Sequence, residues 1–287
     1  MSLRALPEID AKRPPETFAF EADPDALERW SPGIHAEQTP ENTISVLDVI
    51  GEDFWTGGGV TSKRVASALR AIGEQEVFVD INSPGGDFFE GVAIYNLLRL
   101  HPAKVTVRIL GMAASAASVI SMAGDSVQIG KAGFVMVHNA WVVAIGNRHD
   151  MREAADTLET FDEAMTSVYS DRAGVKASAA ARWMDDETWF NGEDAIAAGL
   201  ADSLLSSDAV GEGGSEARAS LVNPARIAEA RMTKGGATRT AARQIIKNLK
   251  GMPDAALAGM TDSAGTATRD AGDWSAAARQ LIDSIKS

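Results

Sequence analysis

The segment GMAASAAS (111–118) sets Ser115 among small residues, between an apolar run that reads as a strand and a stretch that reads as a helix. A strand ending at Leu110, a tight turn at Gly111 and a helix starting at once would put Ser115 in the first helical turn. Backbone N–H groups there lack intrahelical partners, and the helix dipole favours negative charge. A hydroxyl so placed can attack a carbonyl while a neighbouring N–H holds the oxyanion that forms. The flanking alanines leave room for a substrate backbone. The same small residues would equally let a helix pack closely on a sheet.

A serine nucleophile needs a base, and the chain has four histidines. His35 lies in a stretch without periodicity, His101 precedes Pro102 at a helix end, and His149 opens a polar helix start. His138 follows the apolar run FVMV and so sits at a strand terminus. In open parallel sheets, ligands bind beyond the carboxyl ends of the strands. The turn NSPGGD (82–87) also follows a strand at that end. Its Pro84 stiffens the turn, while Gly85 and Gly86 free the backbone to aim N–H groups at a ligand. SPGG is also an ordinary turn sequence.

The elements that would position these groups follow from periodicity. ISVLDVI (44–50), EVFVDI (76–81) and KVTVRI (104–109) read as strands, with shorter ones near 126–129 and 134–137. Residues 61–73, 89–101 and 113–124 read as helices, the first with Thr61 or Ser62 as N-cap. WVVAIG (141–146) is expected to add a projecting strand. The stretch 150–172 repeats apolar residues at Leu158, Phe161, Met165 and Val168, the period of a long helix. Repeated strand–helix–strand units imply an α/β fold with a mainly parallel sheet. By composition, 1–42 is an irregular leader, 43–205 the folded domain, 206–236 a linker, and 237–287 a tail with short helices around 237–250 and 274–286.

Composition limits what such a site could use. The 287 residues are 45% hydrophobic and 23% charged, and contain no cysteine, so disulfides and thiolate chemistry are excluded. No apolar run approaches membrane-spanning length, and the N-terminal stretch lacks a signal-peptide pattern, so a cytoplasmic protein without a membrane partner is expected. Net charge is −13, yet residues 225–250 carry seven Lys or Arg against Glu229 alone. A basic tail on an acidic body points to self-association or an acidic partner. It lacks interleaved aromatics, so no nucleic-acid partner is expected.

INSPGGDFFEGVAIYNLL, GMAASAAS, FVMVHNAW and WFNGEDAIAAGLADSLL together resemble, in order and approximate spacing, the ClpP-type serine peptidases (family S14) over residues 43–205. The resemblance implies a crotonase-like spiral α/β core with a protruding handle helix, matched by 150–172, and a C-terminal extension outside it. It further implies Ser115 as nucleophile, His138 as base, and oxyanion donors at Gly86 and Ala116, with Gly85 in the substrate-binding turn. Family spacing counted back from GLAD (199–202) places the triad acid at Glu187, where the family usually carries aspartate; Asp186 is the alternative. A protein substrate, a homo-oligomer built on heptameric rings, single or double, and chemistry without a cofactor are likewise implied, with an ATPase unfoldase left open. HNAWVVAIGNRHDMREAADTLE, DDETWF and the Gly/Ala-rich extension are similar to the ClpP-related head-maturation proteases of tailed phages. Rival readings are a general degradative peptidase, an inactive assembly subunit, and a crotonase-like acyl-CoA enzyme.

Overall fold

The computed structural model describes residues 26, 34–35, 42–53, 58–142, 144, 146–206, 218–219, 224–234 and 237–251. Two compact units divide the chain, Met1–Leu221 and Val222–Ser287. The first carries strands β1 (Ile34–His35), β2 (Thr43–Val46), β3 (Val77–Ser83), β4 (Val105–Ala114), β5 (Ser126–Ile129), β6 (Phe134–Met136), β7 (Trp189–Asn191), β8 (Ser203–Leu204) and β9 (Arg218–Ala219). Its helices are α1 (Ser62–Ile72), α2 (Phe88–Arg99), α3 (Ala116–Ser121), α4 (Arg148–Ala173), α5 (Ala177–Asp185) and α6 (Gly192–Ala197).

The main sheet runs β2-β3-β4-β5-β8, every neighbouring pair parallel. β6 joins β4 in parallel and β7 joins β6 antiparallel, while β1 and β9 form a separate antiparallel pair. The fold is thus mixed α/β with a mainly parallel sheet. The central strands are apolar because helices cover them: Val105, Val107 and Ile109 of β4 and Val79 and Ile81 of β3 are fully buried. Thr61 caps α1 through its side chain, Asp87 caps α2, and Asn147 with Asp150 forms a capping box at the start of α4.

Three sequence expectations are corrected. β4 does not stop at Leu110 but continues through Gly111 to Ala114. It changes partners on the way, pairing with β5 over Thr106–Ile109 and with β6 over Met112–Ala114. Gly111 packs against Asn82 at that crossing: a Cβ there would lie 2.7 Å from the Asn82 Oδ1, so that side chain would have to shift. That same oxygen accepts the Met112 N–H at 3.2 Å. The expected strand at 141–146 is absent from its described residues. Just before it, the Ala140 N–H is taken by the Asp162 carboxylate, not by a neighbouring strand. The stretch 206–236 contains a helix, α7 (Pro224–Lys234), followed by α8 (Arg239–Gly251) in the expected tail. Within this second unit Arg243 Nε donates to Glu229 Oε1 at 2.7 Å, a pairing between helices that a local period does not reveal. The helix expected around 274–286 lies outside the described residues.

α4 is the long helix, with 26 residues. Its first turns are exposed apart from Ala154, and burial is concentrated from Phe161 onward. The second half is fixed to the sheet by Arg172, which is 1% exposed. Its guanidinium donates to Gly124 O at 3.1 Å and to Asp202 Oδ2 at 2.7 Å. Asp202 Oδ2 also accepts the Val127 N–H, so the acid ending GLAD ties α4 to β5. At the other side of the helix Phe161 stacks among Phe88 and Phe89 of α2, with ring centroids 5.2 and 5.5 Å away.

Candidate active site

Ser115 stands where β4 ends and α3 begins, with φ 55° and ψ −127°. Such backbone is rarely adopted by a non-glycine residue and costs on the order of 1–3 kcal/mol unless its surroundings hold it. Here they do. The Ser115 N–H donates to Met136 O, and its carbonyl accepts the Ser118 N–H and the Ser118 hydroxyl. Ser118 Oγ is in turn 2.7 Å from the Tyr169 hydroxyl of α4. Burial pushes the Tyr169 phenol well above its ordinary range, with the Ser118 contact pulling the other way. A sharp strand-to-helix turn of this kind presents a serine hydroxyl at the edge of a sheet. The short α3 behind it is buried throughout.

His138 follows β6, which lies directly beside the last residues of β4. The residue is 6% exposed, and Nε2 lies 2.7 Å from Ser115 Oγ. Two residues 23 apart in sequence are thus in hydrogen-bond contact because β4 and β6 pair in register. The other described histidine side chains lie elsewhere: His101 Nε2 contacts Gln75 O at 2.7 Å, and His149 is exposed at the start of α4.

The SPGG turn meets the serine from β3. Ile50 N–H donates to Gly85 O and Asp87 N–H donates to Ile50 O. The Gly86 N–H between them therefore faces away from Ile50, by the alternation of extended backbone. Gly86 has φ 149°, and a Cβ there would fall 2.1 Å from Ile50 O. At Gly85 a Cβ would lie 2.7 Å from the Ser115 Cβ and 3.1 Å from the Ala116 N. Glycine is required at both positions for the turn to reach the serine. A cleft is lined by Gly86, Phe88, Ser115, Ala116, His138, Asn139, Ala140, Trp141 and Met165. Phe88, Trp141 and Met165 contribute large apolar side chains to its lining.

The acid run DDETW closes α5. Asp186 is its C-cap, and Glu187 takes φ 46°. The side chains of Asp186 and Glu187 are exposed and hydrogen-bonded to no described residue. Their backbone is more informative. β6 and β7 pair Phe134 with Asn191 and Met136 with Trp189, and the Val137 N–H continues this by donating to Thr188 O. The ladder ends there: the Glu187 N–H turns back to Met184 O at the close of α5. Asp185, which the sequence reading did not single out, accepts the Asn139 Nδ2 at 2.9 Å. Asp162 of α4 accepts the Ala140 N–H at 2.7 Å. Burial, with Asp185 and Glu159 nearby, raises Asp162 to about 6. Asp162 was legible in principle: four residues after Leu158 and three before Met165, an acid sits on the edge of the apolar stripe.

A strained serine at a strand-to-helix turn, a histidine nitrogen within hydrogen-bond reach and a glycine turn beside both define a serine-hydrolase type of site in an α/β fold. Residues 61–208 match the family model described as Clp protease. The chain is 30% identical over 148 residues to the "ATP-dependent Clp protease proteolytic subunit" of Deinococcus radiodurans, covering 50% of this chain and 71% of that one. It is 28% identical over 155 residues to "ATP-dependent Clp protease proteolytic subunit 3" of Streptomyces coelicolor, covering 52% and 71%. The chain belongs to the Clp protease family and is a serine-type peptidase. Among the described residues, no helix is long and apolar enough to cross a membrane.

Proposed function

We propose that Ser115 is the nucleophile and His138 the general base of an endopeptidase acting on protein substrates. The observation that carries this reading is the 2.7 Å contact between His138 Nε2 and Ser115 Oγ at the head of the cleft. Ser115 Oγ attacks the peptide carbonyl as its proton passes to His138. The tetrahedral oxyanion lies between the N–H groups of Gly86 and Ala116, with Gly85 holding the turn against the serine. His138 then protonates the leaving amine, the acyl-enzyme forms, and water hydrolyses it with His138 again as base. The lining by Phe88, Trp141 and Met165 favours an apolar side chain next to the scissile bond. Glu187 is the triad acid, supported by family spacing; Asp186 is the rival.

Labelling by a serine-directed phosphonate, read by mass spectrometry of the intact assembly, tests these assignments together. Ser115→Ala should abolish labelling, and His138→Ala should slow it severely. Glu187→Gln should slow it while Asp186→Asn leaves it unchanged; the reverse order moves the acid to Asp186. Labelling that survives Ser115→Ala overturns the nucleophile.

The biological setting we infer is the trimming of capsid or scaffold proteins during phage head assembly, by homo-oligomeric rings in the host cytoplasm or procapsid. The likeness of HNAWVVAIGNRHDMREAADTLE and DDETWF to head-maturation proteases supports it, together with the basic unit that follows the peptidase fold. The names of the relatives favour the second reading, a degradative peptidase coupled to an ATP-dependent partner. Limited cleavage of a capsid precursor without ATP supports the first; degradation of an unfolded protein only with an unfoldase present supports the second. The contact of Ser115 with His138 favours neither the acyl-CoA reading nor the inactive-subunit reading.

A further inference from the structure

The segment that leaves His138 is held by two carboxylates from two helices. Asn139 Nδ2 donates to Asp185 at the end of α5, and the next residue, Ala140, donates its backbone N–H to Asp162 in the middle of α4. Between Ala140 and the start of α4 the described residues form no strand, so the pairing of this segment ends with Val137 and its bond to Thr188. Residues 138–141 nevertheless line the cleft, as does Met165, one turn beyond Asp162 on the same helix. The placement of the histidine and of Trp141 thus depends on what α4 offers to Ala140.

A carboxylate is an unfavourable group at that position. It stands between Phe161 and Met165, both buried, and its burial is the main reason that its proton is held up to about 6. The other charged groups acting on it are Asp185 from α5 and Glu159 from its own helix, both raising it further. The titratable group of the segment it holds is His138. An amide oxygen could accept the same N–H without these penalties. What the ionised form adds is a charge-assisted bond, shorter and roughly twice as strong as a neutral one.

We propose that Asp162 is a positioning residue for the peptidase reaction: its ionised carboxylate on α4 anchors Ala140, and through it holds His138 against Ser115. This rests on the reading of His138 as general base. Protonation of Asp162 weakens the anchor, so mild acid lowers activity through the long helix.

The test is the pH profile of phosphonate labelling and of kcat/KM for the full-length assembly, between about pH 5 and 8, for wild type, Asp162→Asn and Asp162→Ala. For the wild type, activity should fall by an additional several-fold near pH 6, as Asp162 takes up its proton. Asp162→Asn should lack that additional fall, with a plateau lowered several-fold. Asp162→Ala should lower the plateau by about ten- to a hundredfold, as expected for losing one charge-assisted hydrogen bond, mainly in kcat. A denaturation series guards against misfolding. The folded-state proton affinity of Asp162 exceeds the unfolded one, so wild-type stability falls as pH rises from about 4 to 6. Asp162→Asn should therefore be more stable than wild type at pH 7.5 while reacting more slowly. A merely structural carboxylate does not produce that combination. Superimposable profiles for wild type and Asp162→Asn, or a wild-type rate in Asp162→Ala, overturn the proposal. Full labelling in His138→Ala would instead overturn the reading of the base.

Discussion

The hydroxyl relay behind the nucleophile gives a quantitative test of how the fold holds Ser115. Ser118 Oγ has one proton, and the Ser115 carbonyl 2.6 Å away can only accept it. The Tyr169 hydroxyl, 2.7 Å from the same oxygen, must then be the donor in the second bond. Tyr169 is 1% exposed, so it has no access to water if Ser118 is truncated. Ser118→Ala leaves that phenol buried without its acceptor, which costs about 1–3 kcal/mol. The Ser115 carbonyl suffers less, because it still accepts the Ser118 N–H at 2.9 Å. Tyr169→Phe removes the donor while Ser118 keeps its bond to Ser115, and should cost about 0.5–1.5 kcal/mol. In the double variant neither partner is stranded. Its destabilisation should therefore be close to that of Tyr169→Phe alone, well short of the sum of the singles. Urea midpoints or melting temperatures measure this, at roughly 2–4 °C per kcal/mol for a unit of this size. Labelling rate should behave differently: Ser118→Ala loosens the strained turn, and adding Tyr169→Phe does not restore it. A Ser118→Ala variant within about 0.5 kcal/mol of wild type, or strictly additive singles, refutes the relay.

Two further outcomes follow from the same geometry. Gly86→Ala should lower the labelling rate about a hundredfold or more, since a Cβ 2.1 Å from Ile50 O must displace the turn and its oxyanion donor; an unchanged rate removes Gly86 from the mechanism. Arg172→Met should be less destabilising than Arg172→Ala, because the buried stem packs while the head bonds Gly124 and Asp202. Both should lose on the order of 2 kcal/mol or more in urea unfolding, discounted from a fully buried pair because Asp202 is partly exposed.

Much of this protein is legible from local pattern. The strands over 77–83 and 126–129 and the helices over 62–72, 88–99 and 148–173 follow from alternation, from helical period and from caps at Thr61, Asp87 and Asn147. Such signals act within a few residues, so a short window reveals them. The types and order of Ser115, His138 and the SPGG turn likewise name the chemistry before any fold is known. Tertiary structure decided what sequence spacing does not encode. The pairing of β4 with β6 brings His138 to Ser115, and β4 can continue past Leu110 only because a new partner strand receives it. Ser118 and Tyr169 are 51 residues apart and Asp162 is 22 from Ala140, so the groups that hold the site come from a helix whose pattern reports only its buried face. Within the acid run, local sequence does not distinguish the three carboxylates, whereas the fold turns Asp185 to Asn139 and leaves the side chains of Asp186 and Glu187 exposed. Local sequence supplies the reactive groups, and long-range strand register and helix packing decide which of them meet.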